Sequence, residues 1–512
     1  MDTLVSFSKQ SLLIALSLCL AQAFAFADRH LQQAQDKPNI LYIYTDDQSD
    51  RTVSSYERAL PWVNTPNIDQ LAASGVRFKS AYTGSWCMPS RATFLTGHLQ
   101  YGVESMSMEG QYPSSSYDPE QCPFWMSSFK EAGYTTAQIG KWHTGVDAGF
   151  GRDWDFQIVW NRPAHPNNSG AYYYDQLLSF HGGEPVMTPG YTTDNYTKWA
   201  VEYLEGKGRD PDKPWLLWLC YGATHGPFTP ADRHKDTIPE EMEVPKPVDL
   251  WPPRPGKPEY VKIRAGYRRG EDGKAFVQNR PGNGWEHQEG VITYQETAQG
   301  LDEAVGALVE TLKATGQLDN TMIIYTSDQG FAWGQHGFQH KVAPYDANIA
   351  SPFIISYPGV VPAGGVSSTP VGGHDVVPTI FHYAGIDLPW KMHGKNIAPL
   401  LEKPEAESDH AVLLAFTGRK YGSDTATLPK GPDPHADIPW WVSYRVHEYK
   451  YIMTLIEGEV EELYNLERDP DELHNLALDP GHADVLSRLR AAAIAEMKRT
   501  DCPFVDKLPL SH

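Results

Sequence analysis

The segment Cys87-Met88-Pro89-Ser90-Arg91 sets a thiol two residues ahead of a proline and four ahead of a guanidinium. Proline suits the first turn of a helix, where its missing N–H costs nothing. Cys87 therefore falls at a helix entrance, where free amides and the dipole favour negative charge, and Arg91 follows on the same turn. A reduced structural cysteine ahead of a helix has the same spacing. Two other places carry paired oxygen donors. The apolar run Asn39–Thr45 ends in Asp46-Asp47, and Met322–Tyr325 runs through Thr326-Ser327 into Asp328-Gln329. Three carboxylates and an amide at two strand ends can surround a hard cation, with oxygens at about 2.3–2.6 Å for calcium. No His or thiolate pair shows zinc spacing, so calcium, with magnesium as the alternative, is favoured over zinc. Alone, each acidic pair also reads as a solvated loop or a helix cap.

These groups need rigid elements to hold them. Asn39–Thr45, Trp215–Cys220, Met322–Tyr325 and Phe353–Tyr357 are continuous apolar runs, the pattern of strands buried on both faces. Between them lie amphipathic helices. Thr65 is expected to cap one that starts at Pro66, buries Ile68, Leu71 and Ala72, and stops at Gly75. Another sets Leu301, Ala304, Val305, Leu308, Val309 and Leu312 on one face and ends at Gly316. The alternation predicts an α/β fold: a large domain with a mostly parallel or mixed sheet covered by helices on both sides. In such sheets functional groups gather at the C-terminal strand ends, where the acids stand. From about Glu402 the texture changes. Trp440–Val446 and Tyr449–Leu455 read as a hairpin, and a closing helix carries Leu486, Leu489, Ala493 and Met497 on one face. This predicts a smaller α+β subdomain with a short antiparallel sheet over 402–512, after a main domain over 28–401.

The chain has 512 residues, 41% hydrophobic and 21% charged, which excludes intrinsic disorder. Its net charge of −21 argues against nucleic-acid binding. Ser11–Ala27 is a short apolar stretch after Lys9, ending Ala25-Phe26-Ala27, so residues 1–27 are expected to be a cleaved signal peptide. The expected location is periplasmic or secreted, with no membrane anchor. Cys122, Cys220 and Cys502 leave room for one disulfide whose pairing the sequence does not give.

The Cys87–Arg91 segment resembles the C-x-P-S-R signature of the type I sulfatases, in the alkaline-phosphatase-like superfamily. Other stretches agree in order: Asp46-Asp47; Gly140-Lys141-Trp142-His143; Thr224-His225-Gly226-Pro227; Ser327-Asp328-Gln329-Gly330; Gly334-Gln335-His336-Gly337 with Lys341; and Glu462–Leu466 followed by Asp469-Pro470. Gln329 departs from the Asn or His usual there, and Val244–Asn283 has no assigned counterpart. The resemblance implies that a maturation enzyme converts Cys87 to formylglycine, whose hydrate is the nucleophile. It implies a divalent cation held by Asp46, Asp47, Asp328, Gln329 and residue 87. Arg91 would hold the hydrate, and Lys141 and Lys341 would neutralise sulfate. His225 would protonate the leaving alcohol, and His143 would take a proton from the second hydroxyl. His336 would either touch substrate or order the loop that carries Lys341. Alone, each Lys or His reads as a surface charge or a packed ring.

Three features favour a sulfated polysaccharide, of algal type such as ulvan or carrageenan. Aromatic residues are 12% of the chain, with clusters at Tyr172-Tyr173-Tyr174 and Trp440-Trp441. Lys257, Lys262, Arg264, Arg268 and Arg269 form a basic run. The overall pattern is similar to bacterial polysaccharide-utilisation sulfatases. Core packing and a solvated loop are the competing readings of the first two. The rival functions are a phosphomonoester or phosphonate-ester hydrolase on the same scaffold, and a non-catalytic carbohydrate-binding protein.

Overall fold

The computed structural model describes residues 37–108, 115–239, 241–278, 286–432 and 437–508. The expected signal peptide, 1–27, lies outside them. Among the described residues no helix is long and apolar enough to cross a membrane.

A ten-stranded mixed sheet forms the centre. Five of its strands run parallel, side by side: Thr321–Ser327, Asn39–Thr45, Trp215–Cys220, Thr135–Trp142 and Phe156–Asn161. Alternate residues of one strand feed opposite faces, as the strand period requires. Ile40, Tyr42 and Tyr44 pack with Phe94, Trp125 and Trp218, while Leu41 and Ile43 pack with Leu301, Val305 and Leu308. The last three come from a helix spanning His287–Ala314, longer than its expected apolar stretch. Phe353–Ser356 pairs antiparallel to Thr321–Ser327, so the sheet departs from parallel order there and beyond Phe156–Asn161.

The Pro66–Ala73 helix forms, but Thr65 does not cap it; its hydroxyl is engaged with Ser54 instead. Cys87, Cys122, Cys220 and Cys502 are buried free thiols. The disulfide left open above is not formed, because Cys122, Cys220 and Cys502 sit in three separate apolar clusters.

The C-terminal part holds a four-stranded antiparallel sheet, Val412–Phe416, Trp441–Val446, Tyr449–Thr454 and Glu462–Asn465. One face, with Leu413, Val442, Tyr451 and Leu463, buries Leu489, Ala493 and Met497 of the Ala483–Arg499 helix. The other, with Leu414, Phe416, Trp441 and Tyr464, packs onto Met88 and Ala92 of the helix that begins at Cys87. The C-terminal sheet therefore buttresses the element that carries the signature thiol.

Candidate active site

Strand register explains why distant acids meet. Thr45 pairs with Ser327, so Asp46 and Asp328 leave adjacent strands side by side. Asp47 adopts φ 57°, a left-handed conformation that Asp tolerates better than most residues. Its N–H donates to Asp328 Oδ1 at 3.0 Å, and its carbonyl accepts from the Tyr294 hydroxyl at 2.5 Å. Cys87 opens the Cys87–Thr96 helix, which ends at Gly97 in a left-handed cap. The Cys87 Sγ lies 3.4 Å from Asp46 Oδ1. One ligand atom each from Asp46, Asp47, Asp328 and Cys87 falls within 4.8 Å of the others, and all four residues are buried.

Cations close around this knot. Gly140, at φ 105°, precedes Lys141; a Cβ there would stand 2.0 Å from the Cys220 carbonyl oxygen, so only glycine lets the two strands approach. Lys141 Nζ donates to Asp46 Oδ2. Arg91, fully buried, reaches Asp46 Oδ2 at 3.4 Å and Asp328 Oδ2 at 3.1 Å. Its guanidinium braces the acids, and donates to the Lys141 carbonyl at 3.3 Å. Lys341 Nζ lies 2.7 Å from Asp47 Oδ1 and 3.1 Å from Cys87 Sγ. The Gln329 amide touches both Asp47 and Cys87, so the longer side chain does reach the acids. Amide orientation is set by the hydrogen-bond network, and with a cation present the Gln329 oxygen would turn inward.

The electrostatics follow from crowding. Burial pushes Asp328 up to about 7, with the Asp46 charge adding to it and Arg91 opposing. Burial likewise raises Asp47, against Lys341 and with Asp46. At Asp46 burial also acts upward, but Lys141, His225, Arg91 and Lys341 outweigh it and hold the carboxyl well below the usual range. Burial and then the Asp46 charge push the Cys87 thiol up to about 11. The unmodified thiol is therefore protonated at neutral pH and a poor nucleophile. Converging carboxylates that resist joint ionisation, beside an amide oxygen, fit a divalent cation with oxygen ligands.

Two histidines flank the knot. His225 Nε2 is 3.6 Å from Asp47 Oδ2 and its Nδ1 is 2.7 Å from the Gly226 carbonyl. Its ring stacks on Tyr172 with centroids 3.8 Å apart and planes within 3°. His143 is buried, with Arg162 Nη1 3.2 Å from Nδ1. Burial, then Lys341 for His225 and Arg162 for His143, depress both imidazoles well below their ordinary value. The side chains of Lys341 and His225 keep 15% and 21% of their surface exposed, marking the open side.

His336 is not part of this group. Its Nδ1 lies 2.6 Å from Asp249 Oδ2 and its ring packs on Tyr345 at 4.1 Å. Asp249 lies in the Val244–Asn283 segment that had no assigned counterpart, so that segment anchors the loop leading to Lys341. The aromatic clusters are mostly closed to a sugar, with Tyr172 under His225 and only Tyr174 half-buried. Tyr172, Tyr173, Trp440 and Trp441 are buried, and Trp441 Nε1 holds the Val342 carbonyl at 2.8 Å, next to Lys341. Of the basic run, Lys257 is buried against Tyr464 and the Glu472 carbonyl, and Arg264, Arg268 and Arg269 lie over Phe338, Phe276 and Trp251. A cavity of about 430 Å³ lies behind Tyr294, lined by Trp62, Lys246, His287 and Trp333, and does not include the acids. Sequence reasoning missed Tyr294 and Arg162, and it read Tyr172 and Trp441 as substrate features where the structure makes them supports for His225 and the Lys341 loop. Only Arg162, which directly follows the strand Phe156–Asn161, stood where strand-end reasoning would have found it.

Comparison with known proteins agrees with this geometry. The family model described as sulfatase matches residues 38–386, and one described as N-sulphoglucosamine sulphohydrolase, C-terminal, matches 334–499. An N-acetylglucosamine-6-O-sulfatase of Bacteroides thetaiotaomicron is 27% identical over 491 residues, covering 85% of this chain and 81% of that protein. An ulvan-active sulfatase of Formosa agariphila is 28% identical over 405 residues, covering 75% and 68%. A structure solved in complex with its substrate D-glucosamine-2-N,6-O-disulfate superposes with TM-score 0.76 at 24% identity, covering 91% of this chain and 98% of that one.

Proposed function

The chain belongs to the sulfatase family and is a sulfuric ester hydrolase, and from that premise we propose that it is an exported enzyme removing sulfate esters from a glycan through a formylglycine made from Cys87. The observation that carries the reading is the convergence of Asp46, Asp47, Asp328 and Cys87 within 4.8 Å. Lys341 bridges Asp47 and residue 87. A sulfate ester is a poorly electrophilic anion, so a site must both neutralise its oxygens and present an oxygen nucleophile. Asp46, Asp47, Asp328 and Gln329 would hold a calcium or magnesium ion, which supplies Lewis-acid polarisation and a template when bound. The converted residue 87 would supply a geminal diol where a protonated thiol offers little.

The chain's own groups account for the rest. Lys141 and Lys341 place positive charge where sulfate oxygens would sit. Arg91 keeps the acids fixed and partly neutralised, a bracing role rather than a contact with the diol. His143, neutral and on the enclosed side, would take the proton from the second hydroxyl of residue 87, while His225, on the open side, would have to carry a proton to give it to the leaving alcohol oxygen, a state that the negative charge of bound sulfate favours. The site residues 28–401 would form the catalytic domain, with 402–512 as the buttress. Export is supported by the apolar Ser11–Ala27 stretch and its A-x-A ending.

For the glycan, hexosamine 6-O-sulfates rank ahead of algal polymers. The Bacteroides relative and the disulfated glucosamine complex support this order. Of the features that favoured an algal chain, most of the aromatics and Lys257 are taken up by packing, while Lys262, Arg268 and Arg269 are exposed. The test is sulfate release from glucosamine 6-sulfate, ulvan and carrageenan oligosaccharides, with p-nitrophenyl sulfate and p-nitrophenyl phosphate as simple esters. Hexosamine sulfates should turn over fastest. Faster phosphate than sulfate turnover would transfer the chain to the phosphoester-hydrolase reading.

A further inference from the structure

Arg162 stands one residue beyond Asn161, which pairs with Trp142, so strand register sets it beside His143. It is 2% exposed. Its Nη1 lies 3.2 Å from His143 Nδ1 and 3.4 Å from Nε2, and its Nε donates to the Ser169 carbonyl at 2.9 Å. The guanidinium carbon is 5.0 Å from the Tyr172 ring centroid and 5.4 Å from that of Trp160. Tyr172 is the ring that stacks on His225 at 3.8 Å, and it meets Trp160 edge-on at 4.9 Å. One continuous chain of contacts therefore runs His143, Arg162, Tyr172, His225.

The Arg162 Nη1 stands almost equally far from both ring nitrogens, so it braces the imidazole without claiming one lone pair and leaves a nitrogen able to accept a proton. The planar fork, stacked on aromatic rings, has little freedom to follow a rotating histidine. We infer that Arg162 is a positioning residue: it fixes the ring plane of His143 and, through Tyr172, the plane of His225. This rests on the acid–base reading given above for the two histidines. Besides burial, the charges that lower His143 most are the cations Arg162, Lys141, Arg91 and Lys341.

The test uses the matured, metal-loaded full chain. Arg162→Gln should lower kcat about 10- to 100-fold, the loss typical of removing a group that orients a functional histidine, with KM within about twofold. With one positive charge gone, His143 becomes more basic, so the acidic limb of kcat against pH should move to higher pH. Arg162→Lys keeps the charge without the fork; it should leave that limb in place and recover only part of kcat. Tyr172→Phe should behave as wild type, and Tyr172→Leu should lose kcat. A folded Arg162→Gln enzyme with the wild-type pH limb would overturn the inference. Should that variant not fold, the ¹⁵N shifts of the wild-type histidines decide without reference to turnover. His143 is expected to stay neutral from about pH 5 to 8 with Arg162 in place, and a His143 that titrates across that range sinks the proposal while leaving the sulfatase reading intact.

Discussion

The protein holds two buried clusters of opposite charges, and they are built on opposite plans. At the active site the oxygens of Asp46, Asp47 and Asp328 converge on one another and on residue 87. Arg91, Lys141 and Lys341 grip them from outside. The second cluster joins the C-terminal sheet to the main domain. There each acid faces a cation: Asp346 takes Arg58 at 3.2 Å and Lys450 at 2.9 Å, and Lys450 also takes Glu472 at 2.9 Å. Lys257 closes the set against Tyr464 and the Glu472 carbonyl. Lys450 and Arg58 hold Asp346 well below the carboxylate range despite its burial, while burial pushes Glu472 up to about 7 against Lys450, so the contrast lies in the alternating placement of the charges. Alternating charges satisfy one another and make a structural joint. Converging like charges leave a demand that a cation fills, and make a reactive centre.

Breaking one ligand at the converging cluster should cost the most. Asp47→Asn should lower kcat/KM about a thousand-fold, since a Lewis-acid cation supplies several kcal/mol. In chelated, metal-free protein its melting temperature should hold or rise, because one of three crowded carboxylates is gone. A fall of both together would place Asp47 in the structural class. The alternating cluster should respond in the reverse way. Lys450→Met leaves Asp346 and Glu472 buried beside one missing partner and should cost about 3 kcal/mol in denaturant unfolding. Turnover per folded molecule should stay within about twofold. Loss of turnover without loss of stability would erase the contrast.

Cation binding sharpens it further. Asp328 is raised to about 7, against an ordinary carboxylate near about 4. Between those values Asp328 in the metal-free folded chain keeps a proton that it has lost in the unfolded one, so its contribution to stability falls as pH rises through that window. A bound ion reverses this by displacing the protons. The gap in melting temperature between calcium-loaded and chelated protein should be widest near about pH 8 and should close toward about pH 4. A gap independent of pH would contradict the converging plan. Smallest is the buttress behind Lys341: Trp441→Phe removes the indole donor to the Val342 carbonyl and should cost about 1 kcal/mol, read by thermal unfolding, with a modest rise in KM.

What could be read in advance follows from range. The parallel strands announced themselves because strands buried on both faces must be continuously apolar, and Asn39–Thr45 and Trp215–Cys220 are. Cys87, Arg91, Lys141 and Lys341 were legible because their motifs are local. The antiparallel placement of Phe353–Ser356 was not, since an apolar run carries no direction. Nor were the fates of Tyr172 and Trp441: an aromatic side chain can stack on a sugar, on His225 or under a loop, and only tertiary contacts choose. Thr65 had the composition of a cap but was captured by Ser54, a local bond that sequence spacing did not foretell. The alternating cluster was invisible because Asp346, Lys450, Glu472 and Lys257 come from segments far apart in the chain.

The central claim is that a residue 87 altered from cysteine, amid converging acids and a divalent ion, breaks a sulfate ester. Its most direct test is the rate of inorganic sulfate release from glucosamine 6-sulfate by wild type and by Cys87→Ala, both made alongside a formylglycine-generating enzyme and loaded with calcium. Release by wild type and none above background by the variant is the predicted result. Equal rates from the two proteins would contradict it.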